Sequence, residues 1–149
     1  MTPPAFEEIA VKLRAAPIVL LLLAGLLVQP SHEAVSADVP SIEPGKGLVV
    51  FYRPKKMKGA GIAFRIFESP GSSVGTLANG TVLFRQYEPG QRTFDANTPS
   101  VAGSDLITVD VVEGQVVYVR GEILLGWPAG RPKFTLMSEE QGRAAVSKL

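Results

Sequence analysis

From Gly47 onward the chain is interrupted at intervals of roughly ten residues by turn-forming pairs, and the stretches between them are short and β-rich. That spacing leaves no room for a helix-length amphipathic run before the C-terminal end. The first run, 48–53, is apolar on both faces, which predicts a strand covered from two sides. In 62–68, Ile62, Phe64 and Ile66 share a face opposite Arg65. In 106–112, Ile107, Val109 and Val111 oppose Thr108 and Asp110. Further strands are predicted over 74–77, 81–87, 91–96, 115–122 and 133–137.

Asn79-Gly80 predicts a type I′ hairpin returning 81–87 antiparallel onto 74–77, because that turn places both central residues at positive φ. Glu113-Gly114 predicts a second hairpin, pairing 106–112 with 115–122. The glycine- and proline-rich stretch 126–132 and the turn-rich stretch 97–104 read as loops. Ser138, followed by Glu139, Glu140 and Gln141, has the pattern of a capped helix start. Gly142 predicts that this helix is short. The fold expected is all-β: a small antiparallel β-sandwich of about seven to eight strands with a short C-terminal helix.

The N-terminal part differs in kind. Residues 17–28 form an apolar run preceded by Lys12 and Arg14. At about 12 to 14 residues it rises roughly 20 Å as a helix, short of the ~30 Å hydrocarbon core, so a secretory signal is expected rather than a spanning helix. Val35-Ser36-Ala37 suggests cleavage after Ala37; the long segment before the run, with Glu7 and Glu8, leaves an uncleaved anchor as the alternative. The organisation expected is a signal peptide or anchor over 1–37, a linker over 38–46 and one β-sandwich domain over 47–149. The domain is then exported, periplasmic or anchored in the inner membrane facing the periplasm.

Tyr52-Arg53-Pro54, Gly75-x-Leu77-x-Asn79-Gly80, Glu88-Pro89-Gly90-x-x-Thr93-Phe94 and Glu113-Gly114-Gln115-x-x-Tyr118-Val119 occur in that order. In sequence and spacing they resemble a bacterial envelope family catalogued as domain of unknown function 2846, with the similarity covering about residues 47–145. The resemblance implies a small prealbumin-like or PEGA-like β-sandwich in the cell envelope, and many members of that family are lipoproteins. Arg92 stands where members tend to have histidine, Val82 where they tend to have an aromatic residue, and no cysteine is present to carry a lipid.

Composition narrows the chemistry. With no cysteine, disulfides and thiolate catalysis are excluded, and with His32 as the single histidine, in the presumed leader, the domain holds no histidine triad or zinc site. Asp95, Asp105 and Asp110 follow no calcium-loop pattern and read as aspartates of turns and a polar strand face. Gly59-Ala60-Gly61 lacks the lysine and serine of a phosphate loop and reads as a turn. No cofactor or metal is expected, nor an enzyme.

Two features are left as binding candidates. Arg53, Lys55, Lys56 and Lys58 gather cations at a strand connection, and Trp127 is the single tryptophan, in a loop. The cations suit an anionic envelope surface, or they solvate a loop. The net charge of +1 and the lack of aromatics among the lysines argue against nucleic acid. The function expected is a non-enzymatic module contacting an envelope protein, a membrane surface or a cell-wall polymer. A periplasmic small-molecule binder with a pocket near Trp127 is the alternative, and a hydrolase ranks last.

Overall fold

The computed structural model describes residues 38–98, 104–124 and 130–149. The expected leader, its cleavage point, His32 and Trp127 lie outside the described residues. Among the described residues, eight strands form two four-stranded sheets. One sheet has the order β4 (Val82–Tyr87), β1 (Gly47–Tyr52), β7 (Val116–Leu124), β8 (Arg131–Met137). The other has β3 (Ser72–Leu77), β2 (Phe64–Glu68), β5 (Gly90–Asn97), β6 (Ser104–Val111). One helix, α1 (Glu139–Val146), follows β8. The expected β-sandwich with a short C-terminal helix is the fold observed.

Alternation along each strand builds the core. Val49 and Phe51 of β1 meet Phe64, Ile66, Phe94, Ala96, Val109, Val111, Val119 and Phe134 between the sheets. Phe51 packs edge-on against Phe94 with ring centroids 4.9 Å apart. The other face of β1 is also covered, as its unbroken apolar sequence predicts. Leu48, Val50 and Tyr52 point away from the sandwich and pack with Tyr118 of β7 and Val146 of α1. Every residue of β1 is therefore buried. Burying side chains of this size contributes about 1.5–3 kcal/mol each before the entropy of ordering is subtracted.

Residues 38–46, expected as a linker, are part of this second layer. Val39 and Ile42 pack against it. The Glu43 amide donates to Gln86 Oε1 at 2.7 Å, and Gln86 Nε2 donates to the Ser41 carbonyl at 3.2 Å, tying the segment to the edge strand β4. Apolar residues spaced among prolines read as a linker in sequence because the surface that receives them comes from elsewhere in the chain.

Two connections differ from the expected hairpins. β3 pairs with β2 and β4 pairs with β1, so Asn79-Gly80 is a corner where the chain passes from one sheet to the other. A type I′ turn needs positive φ at both central residues. Gly80 is at +70°, but no described non-glycine residue, Asn79 included, has positive φ. Glu113-Gly114 is likewise a corner: β6 pairs with β5, while β7 pairs antiparallel with β8 and parallel with β1. Both dipeptides turn the chain as their residues require, but tertiary pairing selects the partner.

Ser138 caps α1 as expected, its hydroxyl accepting from the Gln141 amide at 3.3 Å. Gly142 has a role that its low helix propensity conceals. It is the point of contact with Tyr118, where a Cβ would lie 2.1 Å from the ring Cγ. Gly142→Ala gains up to about 1 kcal/mol of intrinsic helix propensity, but it forces the helix off the tyrosine. The expected net result is a loss of about 1–3 kcal/mol, the usual cost of overpacking. A urea denaturation midpoint equal to or above that of wild type would show that α1 does not depend on this contact.

Candidate functional site

The two chain crossings near residues 53–63 and 78–81 lie together, and the basic stretch is built on them. β1 ends at Tyr52, and the chain then crosses to β2 in the opposite sheet. The backbone stays anchored at the start of this loop, since the Arg53 amide donates to the Thr81 carbonyl at 2.9 Å and the Lys56 amide to Asn79 Oδ1 at 2.9 Å. Thr81 Oγ1 closes the facing corner on both the amide and the carbonyl of Ala78.

Arg53 does not join the lysines at the surface. It is 3% exposed, and its guanidinium donates to the Ile62 carbonyl and, at 2.6 Å, to the Gly59 carbonyl. The guanidinium carbon lies 5.9 Å from the centroid of the Phe64 ring. Burial lowers its pKa from the ordinary arginine value. Gly59, at φ +74°, takes a backbone conformation that favours glycine and brings its carbonyl to the arginine. Arg53 is thus the internal strut of the 54–63 crossing, and the Gly59-Ala60-Gly61 stretch is the turn expected of it. In sequence, a buried arginine looks the same as an exposed one.

The three lysines divide further. Lys56 Nζ is bonded to Glu122 Oε1, and the second oxygen of Glu122 receives Arg120 Nη2 at 3.1 Å. Glu122 is a residue the sequence reading passed over. It lies on the outward face of β7, since Gly121 beside it faces the core side chains of Phe64 and Leu77. The Lys56 hydrogen bond is the leading cause that holds the Glu122 carboxyl below its ordinary value, and the charges of Arg120 and Lys56 add to it against the opposing effect of burial.

Lys55 and Lys58 are exposed, and between them Met57 is 96% exposed. Beside them Lys55, Lys56, Met57, Ala60 and Asn79 line an open depression of about 440 Å³. The surface that results is two outward lysines around one outward methionine, held on a rigid base. A larger hollow of about 690 Å³ lies along α1, where its described lining comes from that helix and its C-cap residue Ser147. Among the described residues, it brings no functional groups together from different elements.

Other candidates have structural partners or stand apart. Asp105 Oδ2 accepts from the Phe134 amide at 2.6 Å, joining β6 to the edge of β8 and closing one side of the sandwich. Asp110 is exposed on the outer face of β6. No group of three or more His, Cys, Asp or Glu side chains placed to hold a metal ion occurs among the described residues. Nor is any helix there long and apolar enough to cross a membrane. No family model matches the chain, and no curated protein matches it.

Two outcomes follow from this geometry. Arg53→Met keeps much of the apolar stem but leaves two carbonyls without their donor. The expected loss is about 2–3 kcal/mol in urea unfolding, with faster amide exchange confined first to residues 54–63; an unchanged midpoint would remove the strut. For Glu122, the folded carboxyl titrates below its unfolded value. Its contribution to stability is therefore present above the unfolded carboxylate pKa and lost as pH falls through the lower folded value. Between about pH 7 and about pH 3, wild type should lose more stability than Glu122→Gln. Equal losses would show that the Lys56 contact carries no linkage.

Proposed function

We propose that the protein is a non-enzymatic module of the cell envelope that docks on an anionic lipid surface through the loop of Lys55, Met57 and Lys58. The single observation that carries this reading is the outward methionine between two outward lysines. A large apolar side chain at 96% exposure is costly in water, and it becomes favourable at the boundary between head groups and acyl chains. Lysines beside it meet the phosphates, each contributing about 1 kcal/mol near an anionic surface. The N-terminal apolar run and the resemblance of the four motifs to an envelope family support the same compartment.

The loop suits docking because its base is fixed. Arg53 and Asn79 hold the backbone, so little chain entropy remains to be lost when the tip engages. Lys56 is committed to Glu122 and serves the base rather than the contact. One loop of this size binds weakly by itself. Its effect is to orient a domain already held near the surface, where a second weak contact acts at high effective concentration.

Full-length protein is tested by cosedimentation with phosphatidylcholine vesicles, with and without phosphatidylglycerol. The N-terminal run contributes to both preparations, so the informative quantity is the gain produced by the anionic lipid. In Lys55→Glu/Lys58→Glu, affinity for the anionic vesicles should fall roughly thirtyfold, and the wild-type gain should shrink at high salt. Met57→Ser should weaken binding to both vesicle types. If the lysine variant keeps the wild-type gain, the loop is a solvated connection and the proposal fails.

A further inference from the structure

A second surface, on the outer face of the β3-β2-β5-β6 sheet, carries a separate feature. Ile66, Phe94, Ala96 and Ile107 pack in or against the core, so their neighbours Phe67, Asp95 and Leu106 face outward. Strand register places these three in one row: Phe67 opposite Asp95 on one side, Leu106 opposite Asp95 on the other. A carboxylate is thus flanked across both neighbouring strands by large apolar side chains. Phe67, Glu68, Ser69, Pro70, Gly71, Asp95 and Leu106 line a depression of about 220 Å³ at this row.

Among the described residues, Asp95 has no side-chain hydrogen-bond or ion-pair partner. Its Oδ1 is buried and accepts no hydrogen bond among the described residues. It takes part in none of the ion pairs there. The nearby charged groups have other positions or partners. Glu68 is held by Arg92 at 2.9 Å, Arg92 also donates to the Glu88 carbonyl at 3.3 Å, and Arg65 projects to solvent from the same face. Aspartate is a poor strand residue, and a buried acceptor left unpaired costs stability. Leu106, 65% exposed beside it, leaves apolar surface in water.

We infer that this row receives one basic side chain, an arginine, presented by a partner polypeptide. The depression is smaller than the ~300 Å³ at which small-molecule sites begin, which suits a single side chain. An arginine has the two parts the site requires: an apolar stem to lie on Leu106 and Pro70, and a planar donor head to pair with the Asp95 carboxylate beside the Phe67 ring. Charge complementarity excludes the opposite kind of occupant, since an acidic group would add a second negative charge beside an acceptor that already lacks a donor. The site stands independently of the lysine loop, which lies on a different connection and takes the opposite charge.

The test is an amide-resolved NMR titration of the full chain with Nα-acetyl-arginine methylamide, using the uncharged citrulline counterpart as control. Saturable shifts centred on Phe67, Asp95 and Leu106 are expected with arginine and not with citrulline. Asp95→Asn, which preserves shape, should weaken binding about tenfold or more. Leu106→Lys, at an exposed position, should block the site with its own cation, so the result does not depend on one variant folding. Equal shifts with citrulline, arginine binding that survives both variants, or no saturable shift in wild type would each overturn the inference. The last outcome would mean that ordered water alone satisfies the oxygen.

Discussion

The structure depends on the burial of β1 from both sides. A strand with one wet face could sit at the edge of a sandwich, but Leu48 to Tyr52 offer no polar face to water. β1 must therefore lie inside its sheet, between β4 and β7, with the facing sheet on one side and a second covering on the other. That second covering explains the rest of the layer. Helix α1 comes down on Tyr118 through Gly142, and residues 38–46 close the remaining apolar surface with Val39 and Ile42.

The same constraint shapes the connections. Once β1 occupies an interior position, its neighbours are chosen by what can cover and hydrogen-bond it, and sequence adjacency loses its influence. β4 arrives from the opposite sheet through the Asn79-Gly80 corner, and β7 arrives parallel through the Glu113-Gly114 corner. Crossing between sheets leaves ends of backbone to be secured. Arg53, Thr81 and Asn79 do this at one end of the sandwich. The exposed lysine loop is a consequence of that crossing, raised on a buried arginine and a polar corner.

Most of the strands were legible because alternation and turn residues are local properties. The faces of β2 and β6, the capped start of α1 and the double-sided burial of β1 all follow from residues close together in the chain. The candidate sites were legible only in part. The exposed positions of Lys55 and Lys58 fit a loop after a strand-ending proline, but the burial of Arg53 depends on carbonyls at Gly59 and Ile62 that turn back toward it. The capture of Lys56 by Glu122 joins residues far apart in the chain. Asp95 gave no local signal beyond being a polar residue in a strand. What distinguishes it is the pair of apolar residues that register places on either side.

The sequence by itself determined the fold class, the positions of nearly all strands, the absence of cysteine chemistry and the location of the basic loop. These are fixed by period, turn geometry and residue type, which act over a few neighbouring residues. Tertiary structure alone decided which strands pair, which cation is a strut and which is free, and that 38–46 belongs to the packed layer. Those outcomes turn on burial and on hydrogen-bond partners brought together from distant parts of the chain. A side chain's local chemistry is the same before and after folding, but its surroundings exist only once the fold has formed.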